Sequence, residues 1–170
     1  MWQLTKNIFQ SSIKTEPLIQ QDQSIEKIGL ALSRHIKKRL GRALAIRMVD
    51  AGSCNACELE IQATTNPYYN LERFGIHFVA SPRHADMLLV TGPVTKNMQE
   101  ALKKTYLAMP EPKLVVAIGD CAHCGGIFND SYAVIGAVSQ VIPVHCVVKG
   151  CPPSPMNILN GILTSLTIKN

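Results

Sequence analysis

The sequence predicts an α/β fold, a three-layer open parallel sheet preceded by a basic amphipathic helix. Three observations point there. Short apolar runs alternate with helical patterns along the chain. The run 114–118 is apolar at every position, as in a strand covered on both faces. Three groups of cysteines each fall just past a strand, in a strand-to-helix loop.

Residues 1–23 are polar and glutamine-rich with no period, so they read as an irregular arm. From Ser24 onward Ile25, Ile28, Leu32, Ile36 and Leu40 recur at three- and four-residue steps, while Lys27, Arg34, Lys37, Lys38 and Arg39 fill the other faces. That pattern is an amphipathic helix ended near Gly41. Two uses stay open for it: packing on its own domain with a solvated basic face, or docking a partner subunit or an anionic membrane surface. The expected division is residues 1–41, arm and helix, and residues 42–170, the α/β body.

Within the body, residues 43–49 form a strand, 51–54 a turn and 58–65 a short helix. Residues 76–80 and 87–91 are strands. Pro93 opens a helix that runs to about Ala108 and stops before Pro110 and Pro112. Strands follow at 114–118 and 142–148. Ser154 then caps a last helix, with Pro155 in its first turn, running to about Thr167. A sheet of about four strands is expected, and no internal repeat occurs.

A chain of 170 residues and 18.6 kDa is most simply one domain. Its 46% apolar and 17% charged residues exclude a disordered class. The 11 glycines and 10 prolines follow no period, which excludes collagen-like arrays. The net charge of +5 is lopsided. Residues 1–50 hold nine Lys/Arg against four Asp/Glu, and the remainder holds eight of each sign. A neutral body with 5% aromatics argues against a nucleic-acid enzyme. No stretch of 18 strongly apolar residues and no compact leader pattern is found, so neither a transmembrane helix nor a secretory signal is expected. The expected compartment is the cytoplasm, where disulfides are rare.

All six cysteines lie after residue 50. Cys54 and Cys57 stand in Ser-Cys-Asn-Ala-Cys, Cys121 and Cys124 in Gly-Asp-Cys-Ala-His-Cys-Gly-Gly, and Cys151 in Gly-Cys-Pro-Pro. Loops after parallel strands share one edge of the sheet, so these thiols converge in space. A thioredoxin-type site needs one Cys-x-x-Cys, not three groups. Four thiolates suit a tetrahedral zinc or an iron–sulfur cluster. The division over three loops suits the cluster better, with structural zinc and reactive or buried thiols as the other readings. Gly125 and Gly126 let backbone approach an inorganic core and supply N–H donors to it. Pro152 and Pro153 stiffen the chain after Cys151.

Four ordered motifs carry a family resemblance: Ser53-Cys54-Asn55-Ala56-Cys57-Glu58-Leu59-Glu60, Ser81-Pro82-Arg83-His84-Ala85-Asp86, Gly119-Asp120-Cys121 with Gly125-Gly126, and Gly150-Cys151-Pro152-Pro153. Over roughly residues 42–167 the chain resembles the small iron–sulfur subunit shared by [NiFe]-hydrogenases and complex I, the complex I 20 kDa-type subunit. Within it the chain looks nearest to the membrane-bound hydrogenases of the formate hydrogenlyase and hydrogenase-4 type. The resemblance implies a flavodoxin-like domain with one [4Fe-4S] cluster at the carboxyl ends of the strands, held by Cys54, Cys57, Cys121 and Cys151. Complex I subunits of this kind have adjacent cysteines where this chain has Cys54-x-x-Cys57, which favours the hydrogenase side. Only 19 residues follow Cys151, so one cluster is expected.

Cys124 departs from the family pattern and is expected to be a spectator thiol beside Cys121. Cys146, inside a strand, is expected to be a small buried hydrophobe. By resemblance Glu60 is a possible proton relay at the large-subunit interface; Glu58 is a weaker candidate, and helix-terminus charge stabilisation is the plain alternative for both. Arg83 is read either as a cation near the cluster or as a surface ion-pair partner. His123 is read as a hydrogen-bond donor to the cluster or as a solvent-facing loop histidine, and His84 stands beside Arg83. His35, His77 and His145 are expected to be structural, and Asp120 to orient the Cys121 loop.

The resemblance implies an electron-transfer subunit of an oxidoreductase complex, with no activity expected from the isolated chain. It sits between a catalytic large subunit and a ferredoxin-like iron–sulfur subunit. Membrane-arm subunits are also partners, on the cytoplasmic side of the inner membrane. Two other readings stand beside it: a complex I small subunit that delivers electrons to quinone, and a zinc-stabilised structural adaptor.

Overall fold

The computed structural model of the protein describes Trp2, Lys6 and residues 23–168. The arm expected over residues 1–23 lies outside them apart from Trp2, Lys6 and Gln23. The main sheet has five parallel strands, β1 (Leu44–Asp50), β2 (Ile76–Phe78), β3 (Met87–Thr91), β5 (Leu114–Ile118) and β7 (Cys146–Val148), in the order β2-β1-β3-β5-β7. This is the flavodoxin-like doubly wound order, with five strands where about four were expected.

Strand sequence dictates the layers. Successive side chains point to opposite faces. On one face Met87, Leu89, Leu114, Val116 and Ile118 join a core with residues of α1 (Gln23–Leu40), α2 (Ala56–Ala63) and α5 (Pro155–Thr167). On the other, Leu88, Val90, Val115 and Ala117 pack with Leu102 of α3 (Gln99–Ala108) and Ala122 of α4 (Asp120–Cys124). Both faces are dry, which is why β3 and β5 are buried throughout.

The apolar stripe of α1 packs as the first of its two readings required. Leu32 and Ile36 join the first core. Gly29 lies flat against the Phe74 ring, where a Cβ would collide. Arg39 donates to the carbonyls of Leu166 and Ile168 at 3.0 and 2.9 Å, capping the carboxyl end of α5.

Three expectations are corrected. Pro93 opens no helix: Val94 and Thr95 form β4 (Val94–Thr95), paired antiparallel with β6 (Val134–Gly136). Both residues are β-branched, Val94 is buried, and the Thr95 amide donates to the Ala51 carbonyl at 2.9 Å, so extended backbone wins and α3 starts only at Gln99. The last strand is Cys146–Val148 rather than 142–148. Pro143 has no N–H for the ladder, and the Ile142 amide closes a turn on Val138. The helix expected at 58–65 begins two residues earlier, at Ala56, which brings Cys57 into its first turn.

Candidate metal centre

The three cysteine loops leave the carboxyl ends of β1, β5 and β7. The first is shaped by Asp50, whose Oδ1 accepts from the Gly52 and Ser53 amides at 2.7 and 2.6 Å. Ser53 Oγ then accepts from the Asn55 amide at 3.0 Å and donates to Glu58 Oε1 at 2.6 Å. Asn55 takes a left-handed conformation, φ 71°, which turns the chain into α2 and leaves Cys54 exposed and Cys57 buried. Gly92, after β3, makes room for this loop: a Cβ there would stand 2.5 Å from the Ser53 nitrogen.

The second and third loops are tied together. The Gly119 amide donates to the Val148 carbonyl at 2.7 Å, the Asp120 amide to the Gly150 carbonyl at 2.9 Å, and the Gly150 amide back to Asp120 Oδ1 at 2.9 Å. Asp120 therefore orients the Cys121 loop, as expected. The Cys151–Pro152 bond is cis.

All three loops meet at Gly119. A Cβ on it would lie 2.7 Å from Cys57 Sγ, 3.4 Å from the Gly150 carbonyl oxygen and 3.9 Å from Pro153 Cδ. Gly126 does the same for Cys121, whose Sγ would be 2.7 Å from its Cβ. Both glycines have φ in the left-handed range, 91° and 54°. Gly125, expected to serve alongside Gly126, instead faces Asn129. The close approach of Gly119 to sulfur was not foreseen; its place just before the Cys121 motif was the available signal.

The electrostatics of Cys57 and Cys121 agree with this meeting of loops. The Cys57 thiol is pushed up to about 12 by burial first, and then by repulsion from Glu58, Cys121, Cys54 and Cys151. Burial also raises Cys121, with Cys151, Cys54, Asp120 and Cys124 adding to it. Cys57 and Cys121 thus each lie within range of the charge of Cys54 and of Cys151. Among the described residues, however, no three His, Cys, Asp or Glu side chains are gathered closely enough to hold a single metal ion. One tetrahedral zinc would need sulfurs about 4 Å apart, given its Zn–S bond length.

The remaining candidates sort by place. Cys124 is exposed on α4, its Sγ 3.3 Å from the Asp120 carbonyl oxygen. Cys146 is half-buried at the start of β7, paired in register with Val116, and raised mainly by its burial. Glu60 is half-buried, whereas Glu58 is buried, and Glu58 Oε2 has no hydrogen-bond partner among the described residues. Ser53, five residues before Glu58, is the legible signal for the burial of Glu58. Arg83 and His84 are exposed on a 3-10 turn, Pro82–His84, that packs on α3. Two residues after it Asp86 bonds Ala45 at the amino end of β1, away from the cysteine edge. His123 is exposed on α4. His145 is structural: its Nδ1 accepts from the Val115 amide at 3.0 Å.

Two exposed apolar side chains lie close in sequence to the cysteines. Leu59, two residues past Cys57, is 57% exposed, and Ile127, next to Gly126, is 85% exposed.

Comparison with known proteins agrees with this layout. Residues 54–165 match the family described as NADH ubiquinone oxidoreductase, 20 Kd subunit. Formate hydrogenlyase subunit 7 of Escherichia coli (strain K12) is 42% identical over 145 residues, 85% of this chain and 55% of that protein. The chain thus spans about half the length of that relative. The probable membrane-bound hydrogenase subunit mbhJ of Pyrococcus furiosus is 46% identical over 129 residues, 76% of this chain and 77% of that protein. Among solved structures, a chain of the membrane-bound sulfane sulfur reductase, an archaeal respiratory membrane complex, superimposes with a TM-score of 0.66. It is 33% identical and covers 81% of this chain and 73% of its own.

Proposed function

Because the chain belongs to the NADH ubiquinone oxidoreductase 20 kDa subunit family, whose members are subunits of oxidoreductase complexes, we propose that it is the electron-transfer subunit of a membrane-associated [NiFe]-hydrogenase-like complex. In this reading Cys54, Cys57, Cys121 and Cys151 hold one [4Fe-4S] cluster. The cluster, when bound, supplies one-electron transfer between an iron–sulfur relay and the catalytic large subunit. The carrying observation is the meeting of the three cysteine loops at Gly119, with Cys57 Sγ against Gly119, Cys121 Sγ against Gly126, and Cys54 and Cys151 near enough for their charge to act on both of these thiols.

The chain's own residues have definite tasks. The Asp120–Gly150 clamp and the Asp50–Ser53 turn set the directions of the thiolates. Gly119 and Gly126 keep carbon away from sulfur and offer backbone surface to the core. Leu59 and Ile127 offer a partner exposed apolar surface on the segments that carry Cys57 and Cys121. The large subunit is proposed to dock there. A ferredoxin-like subunit and membrane-arm subunits complete the assembly, on the cytoplasmic side of the membrane. No helix among the described residues is long and apolar enough to cross a membrane.

The test is anaerobic purification with iron, sulfide, zinc and nickel analysis of the chain and its complex, and EPR of the reduced sample. About four iron and four sulfide per chain are expected for a cubane cluster. Serine at Cys54, Cys57, Cys121 or Cys151 should remove the signal, and serine at Cys124 or Cys146 should spare it. Colourless protein with one zinc per chain would sink the proposal in favour of the zinc-stabilised adaptor.

One observation favours the quinone-reducing reading as a second choice. An open apolar cleft of about 430 Å³ lies between β1, α2 and the chain after β2, walled by Met48, Ile61, Phe78 and Val79. Arg47 also lines it, and Arg47 Nε is buried there with no partner among the described residues. Paired Cys-x-x-Cys nickel ligands in the neighbouring large subunit would decide for the hydrogenase.

A further inference from the structure

We infer that the outer stripe of α1, formed by Lys27, Leu30, Arg34, Lys37 and Lys38, seats the protein directly on an acidic phospholipid surface. The inference deepens the membrane-peripheral reading above and rests on it, but not on the cluster.

Helix geometry puts these five residues on one face. At 3.6 residues per turn they fall within an arc of about 100°, opposite the buried Ile25, Gly29, Leu32 and Ile36. All four cations are exposed. Among the described residues none of them has an acidic partner, whereas the neighbouring arginines are engaged. Arg39 caps α5, Arg42 pairs with Asp86 at 2.6 Å, and Arg73 pairs with Glu26 at 2.9 Å. Among the described residues the stripe is therefore unneutralised positive charge along about 17 Å of helix. It stands on a body whose residues 51–170 are neutral, so the field is concentrated there.

The composition of the stripe selects the partner. The cores of protein interfaces are depleted in lysine and built on aromatic and apolar anchors. Here three of the five residues are lysine, and Leu30, 48% exposed, is the one apolar member. The apolar face of α1 cannot roll into a bilayer, because its own domain already buries it. What remains is long-stemmed ammonium and guanidinium groups over a shallow apolar residue. That is a match for acidic headgroups, and its strength is electrostatic and screened by salt.

The test uses the full chain, purified with its iron, in co-sedimentation with phosphatidylcholine vesicles containing or lacking phosphatidylglycerol. Binding to the acidic vesicles alone is expected, falling as salt is raised. The combined variant Lys27→Gln, Arg34→Gln, Lys37→Gln, Lys38→Gln should weaken it by at least about 100-fold. A control variant, Lys96→Gln with Lys104→Gln, should bind as the parent does. Circular dichroism checks that both fold. Equal binding to neutral vesicles, or a combined variant that binds like the parent, overturns the inference. So does a chain that ignores acidic vesicles yet loses a purified partner subunit when the stripe is neutralised, because the stripe would then be a protein interface. Iron and sulfide are assayed in the same samples. A chain that binds vesicles but carries no cluster refutes only the cluster reading.

Discussion

Asp120 and Gly150 hold each other twice, amide to carbonyl and amide to carboxylate, both at 2.9 Å. Each stands immediately before a cysteine, so one reciprocal pair fixes the Cys121 loop to the Cys151 loop. Gly119, adjacent to this clamp, touches Cys57 and adds the third loop. The site is thus braced by backbone and one carboxylate before any inorganic group enters it.

Removing the carboxylate should loosen that brace. Asp120→Ala forfeits a charge-assisted hydrogen bond and is expected to cost the cluster-free chain about 1–3 kcal/mol. Asp120→Asn keeps an acceptor oxygen and should recover much of this. Urea unfolding of the three proteins measures it; equal midpoints for Asp120→Ala and the parent would refute the bracing role.

Gly126→Ala places carbon against Cys121 Sγ, in a left-handed conformation. Gly41→Ala carries similar backbone strain, with φ +69° and nothing within 4 Å of the added carbon. Iron and sulfide per chain should drop sharply in the first and stay near the parent value in the second. Similar iron in both would show that crowding at sulfur is harmless.

Gly29→Ala tests how α1 is docked. Its Cβ would enter the Phe74 ring, and Gly29 and Phe74 are both buried. Overpacking of this kind should destabilise by about 1–3 kcal/mol, despite alanine's better helix propensity. Thermal unfolding reads it, and a rise in melting temperature would mean that Phe74 can move aside.

Alkaline pH offers another check. Burial raises the Cys146 thiol above its ordinary value. In the unfolded chain the thiol ionises first, so between the unfolded and folded pKa values the native state holds the extra proton. Stability is then full below the unfolded value and is lost as pH climbs through the folded one, at no more than about 1.4 kcal/mol per pH unit for this group. Cys146→Ala should therefore flatten the alkaline limb of a cluster-free stability–pH profile. An unchanged limb would show that Cys146 does not contribute.

Some elements were legible and others were not, for identifiable reasons. The strand at 114–118 and the last helix emerged at their true bounds, because uninterrupted apolar residues and a Ser-Pro start are local signals. Helix α1 emerged because its period is sustained over 18 residues. The region after Pro93 did not, since a proline suits a helix start and an extended residue alike. The choice was made by Gly136 and Ala51, which are distant in sequence.

The amino-acid sequence by itself determined the alternation of strand and helix, the placing of cysteines in loops after strands, and the concentration of positive charge on one helix. These follow from side-chain period, turn chemistry and charge count, each readable within a few neighbouring residues. Tertiary structure alone decided that Glu58 rather than Glu60 is the buried acid, that Gly119 is where three loops meet, and which cations of α1 are left without a counter-charge. Those outcomes depend on which distant segments share a volume, and close packing fixes that only when the whole chain has folded.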